Sequence, residues 1–262
     1  AARDHHGYFI LVPALTAYPD SLFLHKGYQA TQTHPRMIQI DSLSKAYGSH
    51  IVLRDIRLQF EKGMVYGIVG ENGSGKTTLF KCLAGLETYH GHIRSEFITI
   101  KNHIGFLPTD PYFFSKITGK EYLQLLCNAR KTSGGNLDEK NVFDLPLDQY
   151  ASTYSTGMKK KLALTAILLQ QNDIYILDEP YNGVDIHSNM IITEIIHSLR
   201  ALNKVVLLSS HIFSTLRDTC DQIHHLRDGQ ISSSVTPENF DILEAEMKAY
   251  TIGNRIAKLG LK

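Results

Sequence analysis

The segment Gly70-Glu71-Asn72-Gly73-Ser74-Gly75-Lys76-Thr77-Thr78 constrains this chain more than any other. It satisfies G-x-x-x-x-G-K-[ST] through Gly70, Gly75, Lys76 and Thr77, with a short apolar run at 65–69 before it and Leu79 and Phe80 after it. Residues without Cβ let consecutive backbone N–H groups curl around a phosphate while the next helix presents its positive end. A buried strand, a phosphate cradle and a helix are therefore expected in that order, as in α/β nucleotide-binding sheets. Within the cradle, Asn72, Gly73, Ser74, Gly75 and Thr78 would line the nucleotide. Lys76 would reach the β and γ phosphates, and the Thr77 hydroxyl would take one position on Mg²⁺. The cofactors expected are ATP and Mg²⁺.

Such a loop needs a carboxylate for the metal at the end of a buried strand, and Asp178 follows the apolar run 174–177 in that way. Asp178 is expected to hold Mg²⁺, directly or through water. Glu179 is expected to point toward the attacking water, with Pro180 fixing the exit of the turn. His211 ends the next apolar strand, 205–210, at the ligand-binding edge of such sheets, where a neutral imidazole could meet the γ phosphate or the water. His5, His6, His187, His224 and His225 show no metal-ligand spacing and read as ordinary surface or satisfied side chains.

Around these loops the chain alternates strands and helices. Residues 37–40 alternate like an edge strand and 52–60 alternate again, so an antiparallel pair is expected. Short strands are expected at 93–100 and 104–107. Thr118 with Glu121 has the pattern of a capping box, and 118–154 reads as a small, mostly helical insert. A helix beginning near Met158, a strand at 174–177, a helix through Ile191 and Leu202, and a strand at 205–208 imply parallel pairing with right-handed crossovers. Leu226 to Ile231 looks like a closing hairpin, and beyond Pro237 a helix carries Phe240, Leu243 and Met247 on one side. The expected division is an amino-terminal extension at 1–34 with no assigned role, a catalytic domain at 35–235 with a helical subdomain at about 112–168, and a helical tail at 236–262.

Composition narrows the partners. The formal charge is +1, from 27 basic and 26 acidic side chains, so no bulk field points to nucleic acid. Cys82, Cys127 and Cys220 are odd in number and lack CxxC spacing, which indicates neither a disulfide framework nor a thiolate zinc site and fits a reducing compartment. The longest apolar stretches fall far short of the roughly 20 residues that cross a bilayer. Work at a membrane would need a partner.

One further segment identifies the machine. Tyr154-Ser155-Thr156-Gly157-Met158-Lys159-Lys160-Lys161, ahead of a long helix, resembles the signature motif of ATP-binding cassette (ABC) proteins, whose usual form is Leu-Ser-Gly-Gly-Gln. Ser155 and Gly157 match, whereas Tyr154, Thr156 and Met158 depart. The order of the other motifs is similar too: Tyr47 resembles the aromatic that stacks on adenine, Asp178-Glu179 the metal acid and general base, Asn182-Gly183-Val184-Asp185 the loop that usually reads Ser-Ala-Leu-Asp, and His211 the switch histidine. At the junction to the helical insert Thr109 stands where the family usually places a Gln that touches metal and water, so its contact would run through a shorter hydroxyl or a bridging water.

The resemblance covers about 37–232. It implies the ABC ATPase fold of P-loop NTPases, with a mostly parallel sheet core, an antiparallel β subdomain and a small α-helical subdomain. It also implies a homodimer, or a pair with a close homologue, in which Ser155, Thr156 and Gly157 of one subunit close over ATP held by the other. The implied partners further include separate transmembrane permease subunits, which would hold the chain peripherally on the cytoplasmic face of the cell membrane. The shortness of the insert resembles exporter-type subunits. A partner helix could dock near Phe113, Phe114 and Tyr122, residues that could equally pack into the core. Alternative readings are a soluble cassette acting on nucleic acid or ribosomes, for which the run 159–161 would be a basic patch rather than a solvated helix face, and a slow-turnover regulatory subunit, given Thr109 and Thr156.

Overall fold

The computed structural model describes residues 36–252; the expected extension at 1–34 and the end of the tail beyond 252 lie outside them. The elements run β1 (Arg36–Tyr47), β2 (His50–Glu61), β3 (Val65–Val69), α1 (Lys76–Leu83), β4 (His90–Ser95), β5 (Ile104–Leu107), α2 (Gly119–Ala129), α3 (Thr156–Leu169), β6 (Ile174–Asp178), α4 (Ile186–Ala201), β7 (Val205–Ser209), α5 (Phe213–Thr219), β8 (Gln222–Arg227), β9 (Gln230–Val235) and α6 (Phe240–Ile252). Short 3₁₀ turns occupy Ile100–His103, Ala151–Thr153 and Pro237–Asn239.

Two sheets form. The larger has the order β5-β6-β7-β3-β8-β9, parallel from β5 through β8 and antiparallel only at β9. Its central strands are buried on both faces, and their period-2 pattern divides the core in two. Val65, Val69, Tyr175, Leu177, Val206 and Leu208 face a core that includes residues of α2, α3, α4, α5 and α6. Tyr66, Ile68, Ile174, Ile176, Val205 and Leu207 face α1 and the smaller sheet. Sequence neighbours on one strand thus hold opposite layers together, and the carboxyl ends of β3, β6 and β7 come side by side.

The smaller sheet corrects the reading of 37–40 as an edge. Its order is β2-β1-β4, so β1 is the central strand. An edge and a centre differ only in distant partners, which alternation within β1 does not encode. The strand expected at 93–100 lies instead at His90–Ser95. Ser95 ends it because its hydroxyl accepts from the Phe97 N–H and donates to the Phe97 carbonyl, a local turn that competes with the ladder. Ile98 is then fully exposed.

The insert is also less helical than expected. The capping box is present, with Thr118 and Glu121 bonding reciprocally, but α2 stops at Ala129 and most of the following twenty residues are irregular. Gly134 and Gly135 both take positive φ, and the Asn141 side chain bonds both the N–H and the carbonyl of Leu145. The loop is held by burying Leu137, Phe143, Leu145 and Leu147 in the first core. Burial here substitutes for backbone ladders.

Candidate nucleotide site

The phosphate loop leaves β3 and enters α1 through Gly75, which has φ of 109° and lies so close to β2 that a Cβ would stand 2.8 Å from a Leu53 methyl. Only glycine takes that position without strain. Lys76 begins α1 and folds back, its Nζ donating to the Gly70 carbonyl at 2.8 Å and the Glu71 carbonyl at 3.2 Å. Burial lowers the Lys76 pKa, while the nearby charges of Glu179 and Asp178 oppose that effect.

Asp178 is fully buried at the end of β6. Its Oδ2 accepts from Thr77 Oγ1 at 2.6 Å and from Thr109 Oγ1 at 2.7 Å, and its Oδ1 from Ser209 Oγ at 2.6 Å. Hydrogen bonds to a charged group contribute about 1.5 to 3 kcal/mol apiece, so three of them offset a desolvation penalty of several kcal/mol. The carboxylate is held in place by three neutral hydroxyl donors. The convergence of Thr77 and Thr109 hydroxyls on one carboxylate oxygen makes a compact set of hard oxygen donors, which fits Mg²⁺.

Glu179 follows in the left-handed region, φ 53°. Its N–H donates to Ser209 Oγ at 3.0 Å, and its Oε2 meets His211 Nδ1 at 2.8 Å. The imidazole is half-exposed while the carboxylate is largely covered. A cleft of about 480 Å³ is lined by Val52, Asn72, Gly73, Gly75, Lys76, Thr77, Thr78, Thr109, Asp178, Glu179, Asn182 and His211. It gathers the glycine-rich loop, the candidate metal acid Asp178, the general-base candidate Glu179 and His211 in one place.

Other candidates lie elsewhere. Tyr47 ends β1, part-exposed, with Lys45 Nζ 4.6 Å from its ring centre. Ser155 and Thr156 are exposed and Gly157 buried at the start of α3, where Ser155 Oγ caps the Met158 N–H at 3.2 Å. Asp185 caps α4, and its pKa is held low chiefly by the Ser188 N–H, then by the Ser188 hydroxyl and Lys161. None of these lines the cleft. Phe113 is buried, tilted against Tyr122 with ring centres 4.5 Å apart, whereas Tyr112 and Phe114 stay exposed.

Two side chains escaped the motif reading. Ser209 was hidden as the last residue of an apolar strand, although a hydroxyl after four aliphatics was the available signal. Lys160 corrects the reading of 159–161 as a uniformly solvated face: it is 1% exposed, its Nζ donating to the carbonyls of Glu179 at 2.7 Å and Asn182 at 3.1 Å. His224 is buried as well, Nδ1 paired with Ser234 Oγ at 2.7 Å and Nε2 without a partner among the described residues.

A P-loop, a buried strand-end acid and a capped signature-like helix on this mixed sheet define an ATP-binding cassette ATPase. The ABC transporter family model matches residues 53–182. The ABC transporter ATP-binding protein NatA of Bacillus subtilis is 33% identical over 195 residues, 68% of this chain and 79% of NatA. The bacitracin transport ATP-binding protein BcrA of Enterococcus faecalis is 29% identical over 228 residues, 82% of this chain and 73% of BcrA. A dimeric post-hydrolysis ATP-binding cassette bound to ADP and Pi shares the fold, with TM-score 0.70 and 19% identity over 77% of this chain and 99% of its own. The chain belongs to the ATP-binding proteins of ABC transporters. It is an ATP hydrolase subunit that powers a membrane transporter.

Proposed function

We propose that the subunit works in a head-to-tail pair, each Walker cleft being closed by the signature of the other copy or of a close homologue. The observation that supports this reading is the separation of two phosphate-binding features in one chain. The cleft has its lysine, acids and glycine-rich loop, while Ser155 and the start of α3 present helix N-terminal donors outside it. A two-fold arrangement brings each set to the other.

In this reading Lys76 leaves the Gly70 and Glu71 carbonyls for the β and γ phosphates, and the glycine-rich backbone cradles them. Thr77 and Asp178 would hold Mg²⁺, with Thr109 beside them; when bound, the ion would supply charge neutralisation on the phosphate oxygens. Glu179 orients the attacking water and takes its proton, and His211 keeps the Glu179 carboxylate aimed into the cleft. Ser155 and Gly157 of the second subunit add donors to the γ phosphate, and Tyr47 offers a face for adenine. ATP then joins the two subunits, and loss of the γ phosphate releases them.

The force is delivered to separate permease subunits. Among the described residues no helix is long and apolar enough to cross a membrane, so a bound permease would hold this subunit at the cytoplasmic face. Replacing Glu179 by Gln tests the reading: E179Q is expected to keep ATP binding, lose about 100-fold in turnover, and accumulate as a dimer in Mg-ATP. Unchanged turnover in E179Q, or a monomer at saturating ATP, contradicts it.

A further inference from the structure

The buried Lys160 has no part in the phosphate site, yet it joins the two halves of the machine within one chain. It stands five residues after the Ser155 cap, in the second turn of α3. Its ammonium reaches across to the turn that follows β6, donating to the main-chain carbonyls of Glu179 and Asn182. The Glu179 carbonyl also accepts from the Asn182 N–H at 3.2 Å. Lys160 therefore braces a turn that already closes on itself.

That turn is one a brace would serve. Glu179 occupies the left-handed region, a conformation unfavourable for a residue with a side chain and retained only where its surroundings over-determine it. Beyond the Asn182 N–H of its own turn, three residues set it: Ser209 Oγ on its N–H, Lys160 on its carbonyl, His211 on its carboxylate. Two come from the sheet edge, and the third comes from the signature helix. The helix and the turn are also in close main-chain approach, since a Cβ on Gly157 would lie 2.5 Å from the Gly183 carbonyl. Lys161 adds an outer tie to Asp185 and Ser188 at 3.2 and 3.1 Å.

Lys160 is a buried cation set among acids. Burial lowers its pKa, and the carboxylates of Asp110, Glu179 and Asp178, in that order, pull the other way. A buried ammonium with carbonyl acceptors and acids nearby is costly to remove from one side only. A purely packing role would be met by a methionine of similar length. The two carbonyl bonds, at 2.7 and 3.1 Å, specify direction, which packing alone does not.

We infer that Lys160 is a positioning residue that carries the engagement of Ser155 and Gly157 to Glu179 of the same subunit. The signature of a subunit touches the nucleotide in the partner's cleft, whereas its Glu179 serves its own cleft. Any movement of α3 on meeting the partner's γ phosphate thus shifts the Glu179 peptide, and the two clefts fire together. The inference rests on the head-to-tail reading and adds a wire to it.

The test is ATP turnover of K160M, which keeps the length and removes the charge and both donors, beside K160R, which keeps donors. Equilibrium ATP affinity is expected to stay within about twofold for K160M, with KM likewise, while kcat falls about tenfold or more, as small misplacements of a catalytic group do. The Hill coefficient of K160M is expected to fall toward one, and K160R to recover a large part of both. Should K160M not fold, K160Q takes its place with the same outcomes. If the folded variant retains wild-type kcat and Hill coefficient, Lys160 only packs and the inference is overturned. E179Q, run alongside, keeps the two failures apart: an ATP-dependent E179Q dimer with an unaffected K160M removes the wire and spares the pairing, whereas an E179Q monomer removes the pairing itself.

Discussion

The two ends of the catalytic machinery are built differently. At the phosphate end, Lys76, Thr77, Thr109, Asp178 and Ser209 bond one another or their own loop, so the geometry is set inside one chain. At the signature end, Ser155 bonds its own helix alone among the described residues and lies exposed with Thr156. One end is self-contained and the other is incomplete. Binding of ATP should therefore be a property of a single chain, and turnover a property of two.

The largest effect that could break this contrast comes from K76A. Removing the Lys76 ammonium, which lies within the phosphate loop, should weaken Mg-ATP binding by about two orders of magnitude, as loss of a preorganised phosphate contact does, and equilibrium titration with a fluorescent ATP analogue measures it. A K76A protein with unimpaired affinity would remove the phosphate end from the account. S155R should separate the ends cleanly. It should leave single-chain ATP affinity within about twofold while turnover falls by about 100-fold; a parallel loss of affinity would mean that the signature serves its own cleft.

A third effect concerns the scaffold beneath the phosphate loop. His224 on β8 is buried beside Tyr66 of β3, ring centres 5.9 Å apart, and burial pulls its pKa down to about 4 from an ordinary 6.5. The folded state therefore resists protonation that the unfolded chain accepts. Stability should be fully present above pH 6.5 and decline as pH falls toward 4, with a slope of up to about 1.4 kcal/mol per pH unit. Denaturant titrations across that range measure it, and H224Q should flatten the slope. The smallest effect is expected from T109Q, which lengthens a side chain beside the metal acid: a change of a few-fold in kcat or in the Mg²⁺ requirement, read in steady-state assays.

What could be read from the residues follows the same contrast. Asp178, Glu179 and His211 sit at or just past the ends of short aliphatic strands, and Lys76 opens the helix that the phosphate loop joins to another; parallel strands deliver their carboxyl ends to one edge whatever the details of packing. Their convergence was therefore legible. The central position of β1 was not, because strand order depends on pairing with β4 across some fifty residues. The irregular insert was missed because apolar residues at 137, 143, 145 and 147 were spent on docking a loop rather than on a helical stripe. Lys160 was invisible for a different reason. Three adjacent lysines look alike until α3 is packed against the turn at 179–182, which turns one of them inward.

The pairing of the two ends across chains is tested most directly by mixing two crippled proteins. In an E179Q background, K76A keeps an intact signature and lacks a working cradle, while S155R keeps the cradle and lacks the signature. Sedimentation with Mg-ATP should find each alone monomeric and the mixture forming heterodimers through the single complete site that the pair shares. If the mixture stays monomeric while E179Q itself dimerises, or if S155R dimerises alone, the two features do not meet between chains and the account is wrong.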